Sequence, residues 1–264
     1  MKIVSWNINS VRLRIEQVGR FLQDQQPDAL CLQELKCPDE FFPHEAFEAL
    51  GYTHRHVHGM KSYNGVAILS RLPFVETTTK SFCDKDDRRH CMAKFENGVE
   101  LHNFYIPAGG DEPDPAINVK FAHKLSFLQE MTQWWGEQRA AGDRKAVLVG
   151  DFNIAPSEND VWSHKQLLKV VSHTPVEVEA LERFRKAGDF IDSVREVVPE
   201  PEKLFSWWSY RSKDWRESNR GRRLDHVWMT PNLSGTVTRA SVYDGARDWD
   251  KPSDHAPVIA EFNF

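Results

Sequence analysis

Short apolar segments alternate with amphipathic segments along the whole chain, a pattern typical of proteins that mix strands and helices. Apolar runs predict strands at 2–7, 29–33, 65–70, 99–105, 146–150, 205–210, 224–229 and 256–261. Apolar residues at helical spacing predict helices at 11–25, 116–139 and 176–187. In the second of these helices we expect one apolar face, formed by Ile117, Phe121, Leu125, Leu128 and Trp135.

The arrangement of these elements favours an α/β protein with mixed sheets over a purely parallel, doubly wound sheet. Predicted strands outnumber helices, and turns such as Asn97-Gly98 are short enough for hairpins. Apolar strands that end in polar residues occur early in the chain and again late. We therefore expect two packed sheets, flanked by helices, whose strand ends meet at a shared site. No low-complexity linker interrupts residues 1–264, so a single domain is expected.

Composition narrows the class of protein. The chain has 264 residues, 40% hydrophobic and 28% charged, which suits a soluble globular protein with a large core. We see no signal-peptide pattern and no apolar run long enough to span a membrane. The cysteines lack metal-ligand spacing, so we expect a cytoplasmic protein. The net charge of −5 argues weakly against a nucleic-acid binder that relies on general basicity, although a substrate groove can be locally basic.

Polar side chains recur at the ends of apolar strands. Asp151 and Asn153 follow one such strand at a spacing that places both on one face, and Glu34 and Asn7 follow two others. Asp225 lies inside an apolar segment, where a carboxylate is costly unless it is paired or bound to metal. Alone, Asp151 and Asn153 are equally consistent with an ordinary turn. The recurrence favours a common polar site.

Asp254 and His255 add an acid–base pair before the last predicted strand. A carboxylate that orients an imidazole is a recurrent way to position a general acid, a base or a phosphate ligand. The candidate metal ligands are carboxylate and amide oxygens without a Cys–His pattern. Hard ligands of this kind favour magnesium, with manganese able to substitute, over zinc. Magnesium in turn favours phosphoryl chemistry.

These residues stand in segments that resemble a known family. The chain is similar over its whole length to the exonuclease III group of class II apurinic/apyrimidinic endonucleases, in the endonuclease/exonuclease/phosphatase superfamily. The segments that carry the resemblance are, in order, WNIN, LQELK, YNGVAILSR, FYIPAGG, GDFNIAP, FSWWSYRSK, NRGRRLDHVWMT and SDHAPV. The resemblance implies a four-layered α/β sandwich, with two mixed sheets packed face to face and the site at one edge.

The resemblance also implies roles for the polar residues. Glu34 is the principal magnesium ligand, and the remaining implied ligands are Asn7, Asp151, Asn153, Asp254 and His255. Asp151 activates the attacking water or protonates the leaving oxygen, and both alternatives stay open. Asn153 positions the nucleophile and the phosphate, Tyr105 contacts the phosphate, and His255, oriented by Asp225, binds the scissile phosphoryl oxygen.

Expected DNA contacts lie on loops near this site. The stretch 211–223 holds six basic and two acidic residues, which favours a phosphate-tracking loop over an ordinary solvated loop. The expected DNA-binding residues are Tyr63, Asn64, Arg211, Lys213, Arg220 and Arg222. The slot for a base-less sugar maps to Trp207, Arg222 and Leu224. Arg222 departs from the family pattern, which has a bulky apolar residue there.

The expected reaction is incision 5′ to abasic sites in duplex DNA, together with 3′–5′ exonuclease activity and removal of 3′-phosphates and other 3′ blocks. We expect a monomer with no membrane partner. Within the superfamily, a nonspecific deoxyribonuclease, an inositol phosphatase or a sphingomyelinase would share the core residues. A catalytically dead DNA-binding module is the alternative from another class, but it would require the loss of Glu34, Asp151, Asn153 or His255, and all are present.

Overall fold

The computed structural model describes residues 1–212 and 214–264. Its strands are β1 (Lys2–Asn7), β2 (Ala29–Gln33), β3 (His54–His58), β4 (Val66–Ser70), β5 (Phe74–Thr79), β6 (His90–Phe95), β7 (Glu100–Tyr105), β8 (Ala146–Asp151), β9 (Ile191–Asp192), β10 (Trp207–Trp208), β11 (Gly221–Arg222), β12 (Asp225–Met229), β13 (Val237–Val242) and β14 (Val258–Phe262). Its α-helices are α1 (Ile15–Gln25), α2 (His44–Ala49), α3 (Val119–Ala140), α4 (His164–Leu167), α5 (Pro175–Ala187) and α6 (Trp215–Ser218). Short 3-10 helices cover Asp39–Phe41, Glu158–Asp160, Pro231–Leu233 and Asp244–Asp248.

Two six-stranded mixed sheets form the centre of the fold, as the sequence predicts. The first has the order β13-β14-β1-β2-β4-β3, and the second has the order β5-β6-β7-β8-β12-β9. Each contains one parallel pair, β1 with β2 and β7 with β8, inside an otherwise antiparallel sheet. A small separate ribbon pairs β10 with β11.

Strand alternation builds the layers. Successive side chains of a strand point to opposite faces, so Ile3 packs between the two sheets while Val4 and Trp6 pack towards α1. On the far side of the second sheet, α3 and α5 cover a third apolar cluster that includes Phe104, Leu148 and Trp228. The helix–sheet–sheet–helix layering confirms the expected four-layered α/β sandwich. No described helix is both long and apolar enough to cross a membrane.

This topology brings the ends of several strands to one edge of each sheet. The carboxyl ends of the parallel strands β1 and β2 lie at one edge of the first sheet, and those of β7 and β8 lie at one edge of the second. An antiparallel neighbour begins where they end, so the first residue of β12, Asp225, pairs directly with Asp151. The segment before β14 likewise reaches the end of β1. Six strand ends therefore converge at the seam between the sheets.

Helix α3 differs from its predicted form. It begins at Val119 because the side chain of Asn118 accepts hydrogen bonds from the amides of residues 120 and 121, which caps the helix. Ile117 lies before the helix and is 73% exposed, so its predicted place on the apolar face is wrong. The buried face instead includes Lys124, a charged residue that hydrophobic periodicity assigns to the surface.

Lys124 forms a fully buried ion pair with Glu177 of α5. The ammonium group also donates to the carbonyl oxygens of Asn153, at 2.9 Å, and Ala108, at 3.2 Å. Glu177 belongs to a capping box with Thr174 at the start of α5. The pair thus fixes two loops that border the seam.

We expect Lys124→Met to destabilise the protein by about 3–5 kcal/mol, because it leaves the Glu177 carboxylate buried without its cation. Urea unfolding monitored by tryptophan fluorescence measures the change. Arg139→Ala is the matched control, since it breaks a half-exposed pair with Asp189, and exposed pairs contribute at most about 1 kcal/mol. Equal losses in the two variants would contradict a structural role for the buried pair.

Candidate active site

The polar residues expected at the site come from both sheets and meet at the seam. Asn7 ends β1, and Glu34 directly follows β2 in the first sheet. Tyr105 ends β7 and Asp151 ends β8 in the second sheet, where Asp225 begins β12. The strand boundaries predicted from apolar runs placed these residues within one position of the strand ends, which is why they converge.

Asn7 joins the two central carboxylates. Its amide nitrogen Nδ2 lies 3.0 Å from Glu34 Oε1 and 2.9 Å from Asp151 Oδ2, and the residue is fully buried. Its oxygen Oδ1 accepts from the backbone amide of Asn9 at 3.1 Å. A single amide therefore sets the spacing between a carboxylate of each sheet.

Glu34 is held by three donors. Besides Asn7, the Tyr105 hydroxyl donates to Oε1 at 2.9 Å, and the Lys36 ammonium lies 2.9 Å from Oε2. Burial alone would raise the pKa of Glu34, but Lys36 and the hydrogen bond from Asn7 outweigh it and hold the pKa below its ordinary value. Burial and the nearby Glu34 and Asp151 carboxylates raise the pKa of Tyr105, so its hydroxyl stays a donor.

Asp151 lies at the centre of the cluster. Its Oδ2 accepts from the side-chain amides of Asn7 and Asn153, the latter at 3.1 Å, and Oδ1 accepts from the backbone amide of Asn153 at 2.9 Å. The residue before Asp151 is Gly150, and a side chain at this position would collide with the backbone of Phe104. The close approach of β7 and β8 therefore requires glycine. Burial raises the pKa of Asp151 to about 7.

His255 is clamped between two carboxylates. Its Nδ1 lies 2.8 Å from Asp225 Oδ2, and its Nε2 lies 3.6 Å from Asp151 Oδ2. Burial by itself would lower the pKa of the ring, but Asp225 and Asp151 together raise it to about 10. The ring is therefore positively charged at neutral pH. The Ser206 hydroxyl, which donates to Asp225 Oδ2 at 2.6 Å, fixes the orienting carboxylate in turn.

Asp254 lies beside this cluster with both carboxylate oxygens engaged. Asn9 Nδ2 donates to Oδ1 at 3.1 Å, and the Trp207 indole donates to Oδ2 at 2.9 Å. Burial would raise the pKa of Asp254, but His255 and these donors lower it. The contacts attach Asp254 to the β10–β11 ribbon.

The backbone around the site is unusual. Glu34 and Lys36 both have φ of +53°, in the left-handed region, and Asn9, Asn64 and Asn153 lie there too at +47°, +55° and +55°. Asparagine tolerates this region, but glutamate and lysine do so at a cost of roughly 1 kcal/mol or more each. Strain of this kind concentrates at functional sites. It supports a site around Glu34 that includes Lys36.

The expected DNA-contact residues surround the cluster. Tyr63 is exposed and lines, with Tyr105, Arg89 and Lys120, a groove of about 630 Å³ that adjoins the site. Asn64 lines it too, but its side-chain amide donates to the Asp87 carbonyl at 2.9 Å and is buried. This hydrogen bond gives Asn64 a part in holding the loop.

The second region of expected DNA contacts comprises Arg211, Arg220 and the β10–β11 ribbon. Arg211 and Arg220 line a cavity of about 380 Å³, and Arg220 is exposed above the Trp162 ring, 4.8 Å from its centroid. Lys213, expected to bind DNA, lies outside the described residues. Trp207 and Arg222 are cross-strand partners in the β10–β11 ribbon, and Leu224 is buried beneath them in a small apolar cluster. The three expected slot residues are thus brought together.

Several residues of the site were not singled out from sequence. Ser206 was not noted at all, and Asn9 was noted only as a polar residue near the end of the first strand, because their contacts are 19 and 245 positions away and no local pattern encodes them. Lys36 belongs to the LQELK segment that carries the family resemblance, but its ion pair with Glu34 was not predicted.

The donor set fits a hard divalent cation. Ligand atoms of Asp151, Asp225 and His255 lie within 4.8 Å of one another, so this buried acidic site could hold a metal ion. Asp225 Oδ1 is buried without a hydrogen-bond donor among the described residues. Burial is the main cause of the raised pKa of Asp151, and the nearby Asp225 and Glu34 carboxylates add to it, so a cation bound here would stabilise the ionised form. Carboxylate oxygens in excess of nearby cations favour magnesium-like ions.

Comparisons with known proteins agree with this geometry. The model of the Endonuclease/Exonuclease/phosphatase family matches residues 4–255. The chain is 35% identical over 274 aligned positions to exodeoxyribonuclease III of Haemophilus influenzae, covering 99% of this chain and 100% of the relative. It is 29% identical to an exodeoxyribonuclease of Bacillus subtilis over the full length of both.

Solved structures give the same result. The structure of the 3′ phosphatase NExo from Neisseria bound to a product DNA hairpin superposes with a TM-score of 0.91 at 33% identity, covering 100% of both chains. An AP endonuclease from Archaeoglobus fulgidus matches with a TM-score of 0.91 at 31% identity, again over 100% of both chains. The fold and the strand-end site therefore define an exonuclease III-like α/β sandwich. The chain belongs to the Endonuclease/Exonuclease/phosphatase family.

The opposed environments of His255 and His226 can be tested in one pH titration followed by NMR, with EDTA present to remove divalent ions. We expect the His255 ring to stay protonated well above pH 6.5, with a pKa of about 10, and to lose much of that shift in Asp225→Asn. Burial lowers the pKa of His226 to about 4, so its ring should stay neutral and serve as the internal control.

The raised pKa of His255 also predicts how the stability of the folded protein changes with pH. Because the folded-state pKa of His255 lies above its ordinary value of 6.5, its stabilisation is present below about pH 6.5 and is lost as the pH rises towards 10. A neutral His255 ring at pH 7 would show that Asp225 and Asp151 do not act on it as described.

Proposed function

We propose that this protein is a magnesium-dependent DNA-repair phosphodiesterase that acts on duplex DNA as an AP endonuclease, a 3′–5′ exonuclease and a 3′-phosphatase. The convergence of Glu34, Asp151 and His255 at the seam is the observation that carries the proposal. The names of the relatives support it, since they include exodeoxyribonucleases, an AP endonuclease and a 3′ phosphatase bound to product DNA. We further propose that residues 1–264 act as one domain and as a monomer.

Glu34 would hold the magnesium ion, with Asn7 beside it. When bound, the ion neutralises the charge that develops on the phosphate. Glu34 is the principal ligand in this proposal, because two donors besides Asn7 already fix its carboxylate. The family resemblance also implies Asp151, Asn153, Asp254 and His255 as ligands, but in this proposal His255 binds the phosphate instead, because a protonated imidazole has no lone pair for a cation.

Asp151 moves the proton in the proposed reaction. A carboxyl whose pKa is near neutrality can take a proton from water and return it to a leaving oxygen at the same pH. Asn153 fixes that carboxylate through two hydrogen bonds and would position the attacking water.

His255 and Tyr105 bind the phosphate in this proposal. A protonated His255 ring can donate to the phosphate from Nε2 while Nδ1 stays bonded to Asp225, and the Tyr105 hydroxyl would turn its single proton from Glu34 to the phosphate. Charge-assisted donors of this type stabilise the oxyanion that forms during hydrolysis. The same set of groups argues against a dead DNA-binding module, because each chemical requirement of hydrolysis has a candidate residue in place.

The proposal predicts magnesium-dependent cleavage of labelled duplexes with an abasic site, a 3′-phosphate or an undamaged 3′ end. Asp151→Asn, Glu34→Ala and His255→Ala should each lower kcat by about 10²-fold or more, because each removes a transition-state contact. Asp143→Asn is the matched control, since it makes the same change in an exposed residue at the opposite end of β8. Full activity of folded Asp151→Asn would refute the mechanism.

DNA binding through Arg220 can be tested separately. In an Asp151→Asn background, which retains uncut DNA, Arg220→Ala should weaken duplex binding and reduce the slope of log K against log salt by about 0.9, the value for one lost phosphate contact. Arg239→Ala is the matched control. It also removes an exposed arginine, but Arg239 lies on β13 beside Glu261, at the other end of the sheet from the site. An identical slope in both variants would place Arg220 outside the DNA interface.

A further inference from the structure

The ammonium group of Lys36 forms an ion pair with Glu34, the proposed principal metal ligand. Its Nζ lies 2.9 Å from Glu34 Oε2, and the two side chains are only 29% and 19% exposed, so water screens the pair incompletely. The same Nζ donates to Asn9 Oδ1. Asn9 Nδ2 donates in turn to Asp254 Oδ1 at 3.1 Å. Lys36 therefore lies between two acceptors, a charged one on Glu34 and a neutral one on Asn9.

The backbone fixes where this lysine side chain begins. The Lys36 amide donates to the Asn64 carbonyl at 3.0 Å, and the Glu34 carbonyl accepts from the Ser10 amide at 2.8 Å. Glu34 and Lys36 both have φ of +53°, a conformation that persists only where the surrounding structure imposes it. The fold thus places the ammonium and the carboxylate together, and their contact is not that of a freely moving surface side chain.

The acceptor positions of the Glu34 carboxylate are nearly all in use. A carboxylate offers about two lone-pair positions on each oxygen. Oε1 accepts from Asn7 at 3.0 Å and from Tyr105 at 2.9 Å, which uses both of its positions. Among the described residues, Lys36 is the one donor to Oε2. As long as Asn7 and Tyr105 keep their bonds, a cation that binds Glu34 has to bind at Oε2, beside Lys36.

Charge decides which cations can take this oxygen. A monovalent ion carries no more charge than the ammonium group, which is already tethered there. A divalent ion carries twice the charge. Because like charges on one oxygen repel each other, Lys36 has to leave Oε2 when a divalent ion binds, and Asn9 Oδ1 remains as its acceptor. Breaking the pair with Glu34 lowers the net affinity for the ion.

We propose that Lys36 is an internal counter-cation that competes with the divalent ion for Glu34 Oε2 and thereby sets the metal affinity of the site. This inference rests on the proposed function, which places the ion at Glu34. It gives Lys36 an effect opposite to that of a residue that prepares a ligand, because the site binds the ion more weakly with Lys36 than without it. The ion exchanges with a positive charge that the chain itself supplies.

Binding of Mn²⁺ alone tests the inference without DNA or turnover. The EPR signal of free Mn²⁺ is followed as the full-length protein is added, either as wild type or as Lys36→Met. The Kd should be at least about five-fold lower in Lys36→Met, which is the fold-change for the loss of a competing contact of about 1 kcal/mol. Lys186→Met is the matched control, because it makes the same change at a lysine of α5 whose side chain is 71% exposed. Its Kd should equal that of wild type.

Thermal unfolding gives a second measurement that separates competition from a structural role. In EDTA, Lys36→Met should have a lower Tm than wild type, because the Glu34 carboxylate loses its cation. A fixed excess of Mn²⁺ should raise the Tm more in the variant, because tighter binding stabilises the folded state more. A lysine with a structural role alone would lower the Tm in EDTA and leave the Kd for Mn²⁺ unchanged.

Two further variants decide between the possible results. Lys36→Gln removes the charge but keeps a donor, and it should also tighten Mn²⁺ binding, which keeps the test valid if Lys36→Met does not fold. Glu34→Gln should weaken Mn²⁺ binding. If it does, a Kd equal to or above that of wild type in the folded Lys36 variants overturns this inference alone. If Glu34→Gln binds Mn²⁺ as wild type does, the ion does not bind at Glu34, and the proposed function loses its metal site as well.

Discussion

Burial of like charges at the seam between two sheets is the constraint on which the rest of this structure depends. Asp151 and Asp225 are buried on neighbouring strands, and directly paired residues of this kind repel each other. The protonated ring of His255 lies between them and makes the arrangement tolerable. Buried charge is stable only when it is paired and hydrogen-bonded, so His255, which comes from the segment before β14 of the other sheet, stabilises this end of the β8–β12 pair.

The remaining architecture holds that seam in register. Between the sheets, Gln33 of β2 donates to Asn103 of β7 at 2.7 Å, and Asn103 donates to carbonyl oxygens of β2 and β4 at 2.9 Å. These bonds link the two sheets within an otherwise apolar layer. The Lys124–Glu177 pair does the same for the loops after β7 and β8. Polar groups in the interior thus fix positions that apolar packing alone would leave free to slide.

Sequence patterns predicted the central strands and the site residues because both depend on local order. Strands β1 and β2 are mostly apolar and end in polar residues, so their bounds were predicted to the residue. Strand β3, with the sequence HRHVH, and strand β13, with VTRASV, lie at sheet edges and were missed because edge strands carry polar side chains. Other features depend on partners far along the chain, which no local pattern reveals. These are the hydrogen bond of the Asn64 amide to Asp87, the buried ion pair of Lys124 and the hydrogen bonds of Arg222 to Val171 and Ser172.

The hydrogen bonds that define the site cross from one sheet to the other. Asn7 to Asp151, Tyr105 to Glu34 and His255 to Asp225 each join a residue of the first sheet to one of the second. The layer between the sheets, which includes Ile68, Val227 and Tyr105 of the site itself, therefore sets distances within the site. During evolution, such core positions are constrained by catalytic geometry as well as by stability. A volume change that folding tolerates can still be eliminated by selection because it alters the spacing of the carboxylates.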